Sequence, residues 1–204
     1  MMRYVMVLGL LLSLSWPVQA DEQTATLLPT LVQNLPSLKL PATCCQAPKQ
    51  TRMLSEDLYP LIPDQFEVWA QAEPLFFDPD LSVYQPAYVL AQTPQVIAVI
   101  FRKATSWNGF EMDLYELITF DRQKGIVARL ELAGKLVTAS LMDGSATYHT
   151  LKAQIAADYN ISVTHLRDYQ PEGGALAAGD KPEKTTRTQR WKLDLKTGQL
   201  RSQP

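Results

Sequence analysis

The chain reads as a mainly β protein, an antiparallel meander forming a sandwich, a curved sheet or an open barrel, preceded by an irregular Pro-rich N-terminal arm. Three observations predict this. Asn108-Gly109 stands between two apolar runs, the turn pattern Asp-x-x-x-Gly occurs at Asp121-Arg122-Gln123-Lys124-Gly125 and again at Asp194-Leu195-Lys196-Thr197-Gly198, and the segments between turns lack a helical period.

Asn-Gly supplies both positive-φ positions of a type I′ turn, so Trp107-Asn108-Gly109-Phe110 predicts a two-residue hairpin. Counting outward pairs Val99 with Ile118 and Ile97 with Phe120 on one face, and Ile100 with Leu117 on the other. Both faces are apolar, which requires a central hairpin or one covered on both sides. After the first Asp-to-Gly turn, Ile126, Ala128, Leu130 and Leu132 alternate with Val127, Arg129 and Glu131, the pattern of a strand with one wet face.

Strands are expected from Tyr148 to Ala156 and from Ile161 to Tyr169, joined through Ala157-Asp158-Tyr159-Asn160. Thr186 to Asp194 follows, with Trp191 and Leu193 on one face, and a short strand around Gln199 to Arg201 ends the chain. In both Asp-to-Gly turns the carboxylate caps the turn and Gly takes the left-handed position. Phe66 to Gln71 and Val83 to Ala91 are further candidates, Pro86 confining the second to an edge or a bulge.

Residues 1–20 have the three parts of a secretory signal peptide: Arg3, the apolar run Val5 to Trp16, and Val18-Gln19-Ala20. About twelve apolar residues fall short of the roughly twenty that span a bilayer, so cleavage after Ala20 is expected, with no integral membrane segment afterwards and a periplasmic or secreted location. Residues 21–50 form the arm, in which Pro29, Pro36, Pro41 and Pro48 oppose a long helix. Leu27, Leu31, Leu35 and Leu38 do lie at helical spacing, leaving a short broken helix as the alternative. Residues 51–204 make one β-rich domain that begins with one or two helical turns at 51–59. It contains a flexible loop at 170–185, where Pro171, Gly173, Gly174, Gly179 and Pro182 cluster.

Without the leader, 19 basic residues less Arg3 leave 18 against 21 acidic ones, a formal charge of −3. That balance offers no field for nucleic acid or an anionic membrane. Cys44 and Cys45 are the only thiols and the redox or disulfide candidates. Adjacent Cα atoms lie about 3.8 Å apart, below the roughly 4.4 Å of an ordinary bridge, so a vicinal ring, a bond to another chain and two buried thiols compete. Neither finger-like spacing nor a third thiol supports a metal site.

The two imidazoles, His149 and His165, fall on neighbouring expected strands. A turn centred between Asp158 and Tyr159 sets His149 against Asp168 and His165 against Lys152, on opposite faces. A shift of one residue brings both to one face in staggered positions. No Gly-x-Ser-x-Gly, phosphate loop or dinucleotide fingerprint is present, and the acidic groups at 55–57, 78–80 and 111–116 match neither an EF-hand nor a glycosidase pattern, so no catalytic residue, metal or cofactor is assigned. Trp107 and Phe110 at the hairpin tip are the binding candidates, as a cross-strand clasp or an exposed anchor.

Trp191 to Leu200, with its Asp-x-Lys-Thr-Gly turn, resembles one hairpin of a quinoprotein-type propeller repeat, but it covers about ten residues and the series of blades is missing, so no cofactor is carried over. An export signal followed by a β meander also resembles many small envelope proteins of Gram-negative bacteria, a likeness that transfers no residue roles. The function expected is a non-catalytic interaction protein recognising a protein or envelope component, with an inhibitor or immunity-type protein as its more pointed version. The competing class is a small-molecule or lipid-binding barrel or sandwich with a cavity lined by residues such as Val99, Phe101 and Leu130.

Overall fold

The computed structural model describes residues 22–33, 35–45, 61, 83–107, 110–139, 145–171 and 183–204. The leader, the 51–59 turns, the 66–71 strand, Asn108-Gly109 and most of the 170–185 loop lie outside the described residues. Among the described residues one helix, α1 (Glu22–Val32), precedes nine strands: β1 (Ala42–Cys44), β2 (Val83–Gln92), β3 (Val96–Trp107), β4 (Phe110–Asp121), β5 (Gly125–Ala139), β6 (Ala146–Ile155), β7 (Asn160–Gln170), β8 (Lys184–Leu193) and β9 (Leu200–Gln203). They form a single open antiparallel sheet in which β2 to β9 lie in chain order, while β1 pairs with β6 off that path. Where the connections are short, as at 93–95, 122–124, 156–159 and 194–199, pairing of sequential strands costs the least chain entropy.

The β3–β4 hairpin has the register read from its turn, with Val99 opposite Ile118, Ile97 opposite Phe120, Ile100 opposite Leu117, and Trp107 opposite Phe110. Both of its faces are buried, as its composition requires, but by different elements. On one, Ile97, Val99, Phe101, Ile118 and Phe120 pack with Leu28, Leu31 and Val32 of α1. On the other, Ala98, Ile100, Tyr115 and Leu117 pack with Ala153, Ile155, Ile161, Val163 and Leu193 from β6 to β8. Strands far apart along the sheet therefore share one core, so the sheet curls back on itself.

Three features produce that curl. β5 pairs with β4 along its length but with β6 only from Gly134 onward. Two register shifts against β4 break its alternation. Instead of presenting one wet face, β5 sends Ile126 to the helix-side core and Leu130 with Leu132 to the other. Third, the β8–β9 turn reaches β4, where the buried Thr119 hydroxyl donates to the Gly198 carbonyl at 2.6 Å.

The Pro-rich arm is built on its leucines. Leu28 and Leu31 are nearly inaccessible in α1, which holds Pro29 inside it; of the leucines at helical spacing, Leu27 and Leu31 fall in the helix while Leu35 and Leu38 lie beyond its end. The chain beyond lies along the β2 edge, where Leu38 N donates to Val89 O and Val89 N to Pro36 O. A few residues later β1 occupies the side of β6 that β5 leaves open, with Thr43 opposite Gln154 and Cys44 opposite Ala153. The arm thus straps the two halves of the sheet together. Pro86 sits as its chemistry demands, on the strand at the end of the path and beside a bulge between Pro86 and Tyr88.

Candidate functional site

The ends of β6, β7 and β8 away from the β3–β4 tip form an open groove of about 550 Å³ with β1 and β9. Register builds it. Thr43 lies opposite Gln154, Gln154 opposite Ser162, Ser162 opposite Arg190, and Arg190 opposite Gln203, giving one transverse row across five strands. All five side chains line the groove, with Ile155, Ile161 and Pro41 beside them. Side chains along such a row stand about 4.8 Å apart. An extended polar ligand could therefore meet an acceptor or donor at each step.

Arg190 is the only charge in the row. The neighbouring cations are committed, Lys192 to Asp158 at 3.1 Å, Arg201 to Asp194 at 3.0 Å and Lys184 to Asp168 at 3.5 Å. Among the described residues Arg190 has no acidic partner. A guanidinium with unfilled donors beside two glutamines and two hydroxyls is suited to a carboxylate, phosphate or carbonyl-rich surface. Nothing in the sequence marked this row, because its five members are spread over residues 43–203 and only strand register aligns them.

The histidines meet, contrary to the opposite-face expectation. The β6–β7 connection is centred on Asp158, with Ile155 opposite Ile161, so His149 faces Arg167 and His165 faces Leu151. Tyr159 takes a φ of 65° there, letting Ala156 N donate to Asn160 O and Tyr159 N to Ala156 O. Sequence reasoning missed this because a tyrosine gives no sign of a left-handed position. His149 Nδ1 and His165 Nε2 are 2.9 Å apart, with ring planes 23° apart and centroids separated by 5.1 Å. The centroid separation exceeds the N···N distance by about two ring radii, so the rings meet edge to edge through one shared hydrogen bond. Burial, followed by His165 and Arg167, holds the His149 imidazole below its ordinary pKa, opposed by Glu131. Among the described residues no group of three or more metal-ligating side chains forms, so this pair stands alone.

Two further charged sets serve the fold. Arg102 forms a fork with Asp113, at 2.7 and 2.8 Å, and that hydrogen bonding raises the guanidinium pKa. Lys103 is buried, 3.0 Å from Glu131 and 3.9 Å from the buried Glu116, at the margin of the helix-side core.

Cys44 and Cys45 are joined as a vicinal disulfide across a cis peptide bond, and both pack against the core shared by the two halves of the sheet. With Cys44 only 5% exposed, the pair sits at the end of the strap rather than in the groove. Trp107 and Phe110 close the β3–β4 ladder opposite one another, and their side chains lie outside the described residues. Through β5, Phe110 aligns with Thr138 and then Thr147, seven positions along β6 from Gln154. That is roughly 23 Å, so the hairpin tip and the groove are separate surfaces. No family model, curated protein or solved structure matches this chain.

Proposed function

We propose that the chain is an exported, non-catalytic recognition module that takes a protein or envelope component on the polar face formed by β1 and β6 to β9. The observation that carries this reading is the row Thr43, Gln154, Ser162, Arg190 and Gln203, which presents one cation without an acidic partner among the described residues, set among neutral donors and acceptors in an open groove. A binding surface of that kind needs no reacting group and holds its ligand by hydrogen bonds and one charge.

An apolar small-molecule carrier is less well supported. Val99 and Phe101 are fully buried against α1, whereas Leu130 belongs to the other core, so the three residues line no common cavity. The test places a photo-crosslinking residue at Ser162 in the full-length chain, with Lys124 as a remote control, in cells of its own source. A discrete adduct at position 162 that is lost on Arg190→Glu is the expected result. Identical adducts at both positions, or an adduct indifferent to Arg190→Glu, would overturn the reading. Cell fractionation with N-terminal sequencing tests export, which requires a mature chain beginning at Asp21.

A further inference from the structure

β8 is longer than the strand that covers it. β9 pairs only with Arg190 to Leu193, so among the described residues no strand lies on the outer side of 184–189. The direction of the backbone groups follows from two hydrogen bonds. Tyr169 N donates to Glu183 O and Leu193 N to Tyr159 O, so odd-numbered residues of β8 bond toward β7. Asp194 N donates to Gln199 O, so even-numbered residues bond toward the β9 side. Lys184, Thr186 and Thr188 therefore direct their N–H and C=O groups outward along an open edge.

Edges of this kind are normally blunted by proline, a bulge or charge. Here the strand Lys-Thr-Thr-Arg-Thr-Gln-Arg-Trp-Lys-Leu pairs with β7 without a register shift, contains no proline, and carries four basic residues and no acidic one. Those charges also choose the partner. A second copy pairing antiparallel about Thr186 would crowd Lys184, Arg187 and Arg190 of each chain onto one short ribbon, and like charges across strands oppose that. On one sheet face Lys184 already shares Asp168, while on the other Arg187 lies opposite His165 and next to Arg167 in the row beyond, with no acid among those three.

We propose that residues 184–189 of β8 are a strand-addition site for an acidic extended peptide segment, which continues the line of β9 and pairs with the outward groups of Lys184, Thr186 and Thr188. Main-chain hydrogen bonds supply the affinity, and Arg187, with His165 and Arg167 on the same face, selects carboxylates on one face of the incoming strand. The site goes beyond the groove reading, since it uses the backbone edge of β8 rather than the side-chain row.

The experiment titrates the full chain with a nine-residue peptide alternating Glu or Asp with Thr and Val, followed by amide hydrogen exchange and fluorescence anisotropy. Binding is expected to slow exchange at Lys184, Thr186 and Thr188, to weaken at least tenfold when the edge-facing peptide nitrogens are methylated, and to weaken with salt. Thr186→Pro removes one outward N–H and leaves the β7 ladder intact, so it should weaken binding about as much. The N-methylated peptide makes the same test on unaltered protein should that variant fail to fold. Equal binding of a Lys-substituted peptide, binding indifferent to methylation, or no protection at these three amides would overturn the proposal. The Ser162 crosslink reads the groove separately, so either surface can fail while the other stands.

Discussion

Gly134 and Gly125 offer the sharpest physical test of how closely β4 approaches β5, because the same change at both should give very different costs. Gly125 has a φ of +78°, and a Cβ added there would meet nothing within 4 Å. Gly125→Ala therefore costs only the left-handed conformation, about 1 kcal/mol. Gly134 has a φ of +128°, and its added Cβ would meet the Asp113 carbonyl oxygen, Leu114 Cα at 2.7 Å and Asp113 C at 3.0 Å. All three are backbone atoms of β4, so no rotamer can relieve the overlap. β4 and β5 would have to separate where β5 first takes up β6. Gly134→Ala should thus cost about 4 kcal/mol or more, the range kept for mutations that break backbone packing. With a urea slope of about 2 kcal/mol per molar, the midpoint falls by roughly 0.5 M for Gly125→Ala and by roughly 2 M for Gly134→Ala. Equilibrium unfolding followed by tryptophan fluorescence measures both. Equal shifts within roughly 0.3 M, about 0.6 kcal/mol at that slope, would refute the claim that the β4 backbone leaves no room for a side chain at Gly134.

Two other perturbations probe the closure and the histidine pair. Thr119→Val keeps the side-chain shape but removes the donor to the buried Gly198 carbonyl, and should cost about 1–3 kcal/mol in urea unfolding; a loss below the error of the method would mean that this carbonyl finds another partner. For His149, burial disfavours the charged ring in the folded chain, so the unfolded chain binds the proton more tightly. Stability is then full above the ordinary value of 6.5 and declines as pH falls from there through the lower folded value. His149→Asn should flatten that decline in melts recorded across the window, and an unchanged pH profile would exclude His149 as its source.

Burial explains why the His149 ring resists charging, and a proton added to it would also face Arg167 across the β6–β7 ladder. The same end of β8 carries Arg187 opposite His165, so charging His149 adds to a field that is already positive.

Local chemistry determined much of this molecule. Asn108-Gly109 fixed the β3–β4 register to the residue, and the two Asp-to-Gly turns place Gly125 and Gly198 at positive φ while Asp121 and Asp194 accept turn amides. Turn geometry is a short-range property, decided by which residues tolerate positive φ and which carboxylates reach a nearby amide. The same logic reads Pro86 as an edge or bulge residue, while for the arm it favours an irregular segment and leaves the helix that forms over Glu22–Val32 as the alternative. Where the left-handed position falls on Tyr159, no such signal exists, and an error of one residue there turned a hydrogen-bonded imidazole pair into two rings on opposite faces. Only the tertiary structure decided which elements cover each face of β3 and β4, where β1 docks, and that five polar side chains from five strands form one row. These are contacts between residues distant in sequence, settled by bulges, by the close approach of β4 at Gly134 and by shared burial, none of which leaves a local pattern in the chain.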